Sequence, residues 1–171
     1  MSSLVVFSTS TGNTKKIADA IFSALKDTNK KIVDVNEINK VNVNKFDKII
    51  IGGWIDKGEI DEKAKEFVTN LKNKKLGLFV TMGGNPETDR AKNCFQEIKK
   101  SLEKNGNIIE KTFVCQGAID PNLINKFREM TKQGIAGPFA ATPEREARWA
   151  EAAKHPDEKD IENAKRIFEG L

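Results

Sequence analysis

The residues Ser8-Thr9-Ser10-Thr11-Gly12-Asn13-Thr14 concentrate the chemistry that this sequence offers most plainly. They follow the short apolar run Leu4 to Phe7 and precede Ile17, Ala18, Ile21, Phe22 and Leu25, which recur at helical spacing. A run of hydroxyls at a strand-to-helix junction brings side-chain O–H and backbone N–H groups together at a helix N-terminus, where the helix dipole favours negative charge. Such a loop attracts phosphate. It has neither the GxxxxGK[ST] pattern that cradles triphosphates nor the GxGxxG of dinucleotide folds, so a monophosphate fits it better. A plain helix cap would account for one such residue more readily than for four hydroxyls beside a glycine.

Two more stretches place glycine beside polar or aromatic groups. Gly52-Gly53-Trp54-Ile55-Asp56-Lys57-Gly58 follows the apolar run Lys48 to Ile51, and Thr81-Met82-Gly83-Gly84-Asn85-Pro86 closes the run Leu76 to Met82. Other candidates have bland readings. Cys94 and Cys115 stand far apart with no cysteine or histidine near either, which excludes a CxxC motif and a zinc cluster and leaves two reduced, mostly buried thiols. His155, the single histidine, lies in a polar run before Pro156 and reads as an exposed residue ahead of a helix. Asp120 before Pro121 reads as a helix cap. No Ser-His-Asp set or carboxylate pair has supporting neighbours, so no catalytic residue is assigned.

The elements that must hold these loops follow from periodicity. Strands are expected at Leu4 to Phe7, Lys31 to Val35, Lys48 to Ile51, Leu76 to Met82 and Ile108 to Cys115. Helices between them bury Ala64, Phe67, Val68 and Leu71, then Ala91, Phe95, Ile98 and Leu102. The residues Gly52 to Ile60 are expected to form a loop. Alternating strands and helices imply an α/β sandwich with a parallel sheet covered on both faces and a ligand at the carboxyl ends of the strands. The chain of 171 residues is the size of one domain, with a core over about 4–131 and a final helix over 157–170. The segment of about 132–156 departs from the rhythm: Thr142 caps an expected helix, and the aromatics Phe139 and Trp149 need a surface, either covering the ligand or lining a partner's docking surface, or else packed on the outer helices or in a homodimer contact. A net charge of +4 is too small and too evenly spread to argue for nucleic acid, and no run is long enough for a membrane anchor or signal peptide. A cytoplasmic protein is expected.

The hydroxyl run Thr9, Ser10, Thr11 followed by Gly12-Asn13-Thr14 resembles the phosphate loop of the flavodoxin family. The resemblance covers Leu4 to about Asp120, with the last helix completing it. It implies a flavodoxin-like three-layer sandwich with five parallel strands in the order 2-1-3-4-5, and FMN as cofactor. The loops after the third and fourth strands clasp the flavin ring in that family. The implied cofactor-binding set is therefore Thr9 to Thr14, with Gly53, Trp54, Ile55, Asp56, Lys57 and Gly58, and with Met82, Gly83, Gly84 and Asn85. Trp54 falls where flavodoxins often stack an aromatic ring on the flavin, although covering the sheet edge is an alternative use for it.

Three departures bear on mechanism. Ile55 stands where many flavodoxins have a glycine whose peptide flips toward the flavin N5, and a β-branched residue resists that flip, so Gly58 is the available substitute. The chain contains no tyrosine, the usual aromatic of the third loop. Lys57 and a sequence pI near 9.0 contrast with the acidic surroundings usual in flavodoxins and favour the anionic reduced flavin. The stretches Trp54 to Gly58, Cys115 to Asp120 and His155 to Glu158 resemble a branch that includes the accessory protein of bacterial bilirubin reductase. The resemblance implies an FMN electron carrier serving a partner redox enzyme. The alternatives are an FMN-dependent reductase, or reductase accessory subunit, acting on a small aromatic or tetrapyrrole substrate, and a flavin-free binding module on the same fold.

Overall fold

In the computed structural model of the chain, which describes residues 1–135 and 137–171, the apolar run near the N-terminus becomes strand β1 (Ser2–Phe7), all of it buried. A parallel strand covered on both faces must be apolar on both, and Leu4, Val5, Val6 and Phe7 satisfy that. The two polar residues at its start are paired: Ser2 with Asp47 and Ser3 with Asp27. Next come α1 (Asn13–Ala24) and β2 (Asn29–Asp34). They are followed by β3 (Lys48–Asp56), β4 (Glu59–Ile60) and α2 (Glu62–Thr69). Then β5 (Lys75–Met82), α3 (Asp89–Glu103) and β6 (Ile108–Gln116) complete the alternating part. Three helices close the chain: α4 (Pro121–Lys132), α5 (Pro143–Ala152) and α6 (Glu158–Phe168).

The sheet runs β2-β1-β3-β5-β6 with every one of these pairings parallel, the order expected for the five main strands. Edge strand β2 carries lysines and is only partly covered, which discourages pairing with another chain. Because side chains alternate along a strand, β1 and β3 each feed two cores. Leu4, Val6, Ile49 and Ile51 meet Val68, Phe95 and Leu102 on the side of α2 and α3, whereas Val5, Phe7 and Ile50 meet Ile17, Ile21 and Phe168 on the side of α1 and α6. Phe168 is fully buried, edge-on to Phe79 at 6.4 Å, over the space left by Gly77. The final helix thus closes the second layer, as the sequence implies.

In the segment between β6 and α6, both aromatics pack against helix α4. Phe127 on α4 stacks on Phe139 at 5.1 Å and on Trp149 of α5 at 6.1 Å, and Arg128 donates to both carboxylate oxygens of Glu146, tying the two helices together. Trp149 is buried there, while Phe139 remains 59% exposed. Thr142 caps α5 as expected, and Asp120 caps α4. No helix among the described residues is long and apolar enough to cross a membrane.

Candidate functional site

The hydroxyl loop lies between β1 and α1, at the carboxyl end of the sheet. Ser8 is buried and its N–H donates to the Gly52 carbonyl at 2.9 Å, which fixes the start of the loop against β3. Gly12 then turns the chain at φ 98°, with its N–H donating to the Thr9 hydroxyl at 3.0 Å and nothing within 4 Å of where a Cβ would sit. Glycine is required by that backbone conformation and not by crowding. Ser10, Thr11 and Gly12 are exposed.

Helix α1 starts without a side-chain cap and without an acidic residue in its first turn. Each of the other five α-helices is capped by a side chain: Asp61, Thr88, Asp120, Thr142 and Asp157. The first N–H groups of a helix have no partner within it, so at α1 they are left to the loop and to whatever binds there. Asn13 and Thr14 face inward. The Asn13 amide donates to the Ala118 carbonyl at 2.8 Å and to the Thr11 hydroxyl at 3.3 Å. Thr14 is buried, with its hydroxyl 2.9 Å from that of Thr81 at the end of β5. Thr81 joins the loop to the central strand, a role that only its place in the sheet reveals.

The second stretch differs from the sequence expectation. Gly53, Trp54, Ile55 and Asp56 extend β3, and the chain reverses at Lys57-Gly58 into β4, where Ile55 pairs with Ile60 and Asp56 with Glu59. Lys57 at φ 51° and Gly58 at φ 89° make the pair of positive angles that a two-residue type I′ hairpin needs. Asp61 locks the base of this hairpin. It is buried, caps α2 through the Ala64 N–H at 3.2 Å, and accepts from the Trp54 N–H at 3.1 Å. Its own N–H donates back to the Trp54 carbonyl at 2.9 Å. Asp61 was not among the expected site residues; an aspartate three residues before a buried alanine, following a Gly-x-x pattern, was its only signal. The Cys94 thiol of α3 reaches the Gly58 carbonyl at 3.0 Å and holds the tip. Flipping the Lys57-Gly58 peptide from this state would put Lys57 into a conformation reserved for glycine, so the substitution expected of Gly58 meets a steric obstacle.

The third stretch is a loop as expected. Met82 is buried at the end of β5, Gly83 is half-buried, and Gly84 and Asn85 are exposed. The Gly83 carbonyl accepts from the Gln116 amide, the Met82 carbonyl accepts from the Gly117 N–H, and the Asn85 side chain turns the chain by accepting from the Glu87 N–H. All three stretches therefore meet along one rim: Trp54 is in register with Thr81, Phe7 with Gly52, and Met82 with Gln116. Of two open clefts, one of about 350 Å³ lies against Phe7, Lys15 and Val33 at the β2 edge and the other of about 770 Å³ runs from Lys57 along α2 to Asn70; neither is lined by Thr9 to Thr14 or by Met82 to Asn85.

His155 departs from its expected exposure. Its side chain is 21% exposed and Nδ1 lies 2.6 Å from Asp160 Oδ2, a contact that raises its pKa above the ordinary histidine value. Cys115 on β6 is buried, and that burial pushes its thiol pKa far up and keeps it protonated. Both cysteines are free.

The comparisons with known proteins agree with this geometry. A family profile described as a flavodoxin domain matches residues 4–169. The flavodoxin-like domain-containing protein BilS of Clostridioides difficile is 34% identical over 173 residues, covering 100% of this chain and 96% of that protein. Oxidised flavodoxin 2 of Bacillus cereus superimposes with a TM-score of 0.59 at 18% identity, over 98% of this chain and 95% of that one. The Streptococcus pneumoniae TIGR4 flavodoxin gives a TM-score of 0.55 at 18% identity, over 99% and 96% of the two chains. With the family profile spanning nearly the whole sequence and a full-length relative above 30% identity, the chain belongs to the flavodoxin family.

Proposed function

We propose that this protein binds FMN along the rim formed by its three loops and uses it to pass electrons to or from a partner redox enzyme. FMN is the cofactor that family membership brings with it, and the residues present suit its phosphate end. The observation that carries this reading is the uncapped N-terminus of α1 under the exposed hydroxyls of Ser10 and Thr11, beside a glycine with open space around it. An anion there would accept from backbone N–H groups that have no other partner. Thr9, Ser10, Thr11, Gly12, Asn13 and Thr14 would form this cradle. Trp54 and its hairpin would flank the ring on one side and Met82 to Asn85 on the other. When bound, FMN supplies one- and two-electron transfer; the chain's part is to hold it at an exposed edge, where a partner can approach.

The likeness to BilS and to the branch of the bilirubin reductase accessory protein favours a reductase as the partner. The test begins with a titration of the purified protein with FMN and riboflavin. Thr11→Ala should weaken FMN by about 1.5 to 3 kcal/mol and riboflavin far less, because only FMN carries the charged acceptor. Equal losses would remove the phosphate from this loop. The reduced holoprotein should then be reoxidised by a candidate partner reductase faster than free reduced FMN is, and equal rates would reject the carrier role.

A further inference from the structure

We propose that His155, in the turn between α5 and α6, and Asp160, in the first turn of α6, are positioning residues for the phosphate loop. This rests on the assignment of Thr9 to Thr14 as the FMN phosphate cradle. The two ends of the chain are joined by an unbroken set of hydrogen bonds. Asp160 Oδ2 holds His155 Nδ1 at 2.6 Å, and the same carboxylate accepts from the Asp157 N–H at 3.0 Å, while Asp157 accepts from the Asp160 N–H at 2.9 Å. The His155 backbone is also held, its N–H donating to the Ala152 carbonyl at 3.0 Å, with Ala152 fully buried. From that fixed place the His155 carbonyl accepts from the Ala118 N–H at 3.0 Å, and the Ala118 carbonyl accepts from the Asn13 amide at 2.8 Å.

The last link has a chemical consequence. The Asn13 amide also donates to the Thr11 hydroxyl oxygen, so the Thr11 proton is turned away from Asn13 and is free to donate to an anion. Gly117 brings this wall close: a Cβ at that position would lie 2.9 Å from Asn13 Nδ2. The peptide around Ala118 is thus clamped between the phosphate loop and the α5–α6 turn. Loosening His155 frees Ala118, lets Asn13 rotate, and removes the bias of the Thr11 hydroxyl toward donation. The effect falls on the phosphate and spares the ring.

The experiment is a titration of FMN and riboflavin into wild-type protein, His155→Ala, His155→Asn, Asn13→Ala, the double variant of His155→Ala with Asn13→Ala, and Thr11→Ala. Thermal melts of each apoprotein show that the binding-tested variants are folded. His155→Ala is expected to weaken FMN about fivefold, with riboflavin changed less than about twofold; that is less than the loss of a whole hydrogen bond to a charged acceptor, because the Thr11 hydroxyl remains and only its orientation is loosened. His155→Asn, which keeps a donor near the place of Nδ1, is expected to restore most of the loss. In the Asn13→Ala background the His155 substitution should have no further effect, because residues on one network are not additive. Equal loss of both ligands, or additive losses from His155 and Asn13, would overturn the proposal even where Thr11→Ala discriminates against FMN as expected. Should Thr11→Ala itself fail to discriminate, the phosphate assignment falls and this inference falls with it. If His155→Ala does not fold, His155→Gln takes its place in the same cycle, since it too lacks a donor at the Nδ1 position.

Discussion

The β1–α1 loop and the β3–β4 hairpin lie at the carboxyl ends of neighbouring strands, yet they dispose of their backbone hydrogen bonds in opposite ways. At the loop, α1 begins uncapped, Gly12 faces open space, and two hydroxyl residues are exposed. At the hairpin, β4 pairs with β3, Asp61 binds the Trp54 backbone in both directions, and the Cys94 thiol occupies the tip carbonyl. The first is a site with capacity left for a ligand. The second is preformed, and it offers a side-chain surface at Trp54 with the local backbone already committed. Glycine serves the two differently: Gly12 supplies a left-handed turn, whereas Gly52 and Gly53 make room, since a Cβ on Gly52 would lie 1.9 Å from the Phe79 ring and one on Gly53 2.7 Å from Asp61 Oδ2.

The comparison is most sharply tested at Gly52. Gly52→Ala should destabilise the fold by about 3 kcal/mol, as overpacking of a close-packed core does, read from urea unfolding. A loss under about 1 kcal/mol would mean that Phe79 moves aside easily. Asp61→Ala should cost about 2 kcal/mol, because it removes a helix cap and leaves the Trp54 N–H unpaired, and the Trp54 fluorescence should shift toward that of an exposed indole. An unchanged spectrum would show that the hairpin holds without Asp61. Gly12→Ala, which meets no clash, should cost only about 1 kcal/mol for the left-handed backbone, so a loss as large as that at Gly52 would erase the distinction.

Two smaller effects sharpen the hairpin side. Trp54→Ala should reduce flavin quenching and weaken both FMN and riboflavin by about 1 kcal/mol, since the ring and not the phosphate is its neighbour in the proposed site. Quenching and affinity both unchanged would place the indole off the flavin. Lys57→Asn should stabilise the apoprotein by about 0.5 kcal/mol, because asparagine tolerates the φ of 51° better than lysine. A decrease in melting temperature would mean that the turn is not of the type its angles indicate.

Much of this arrangement was legible in residue order. The apolar runs at Leu4, Ile49 and Leu76 are continuous because these strands are buried on both faces, and that continuity is visible without coordinates. Thr142 and Asp120 read correctly as caps because capping is a local transaction between a side chain and an N–H two or three residues on. The hydroxyl loop is recognisable for the same reason: its groups are neighbours in sequence. The extension of β3 through Asp56 was hidden, since Gly52-Gly53 reads as a loop signal until Phe79 and Asp61 are seen to occupy the space beside them.

The sequence by itself determined the alternation of strands and helices and the place of the hydroxyl run at the junction of β1 and α1, because both follow from residues close together in the chain. Tertiary structure alone decided how that run is supported. Asn13 meets Ala118 across 105 positions and Thr14 meets Thr81 across 67, and no local pattern encodes either pairing. A buried polar group takes whichever partner the packing brings within reach, because leaving it unpaired away from water is costly, so those partners appear only once the sheet and its covering helices have formed.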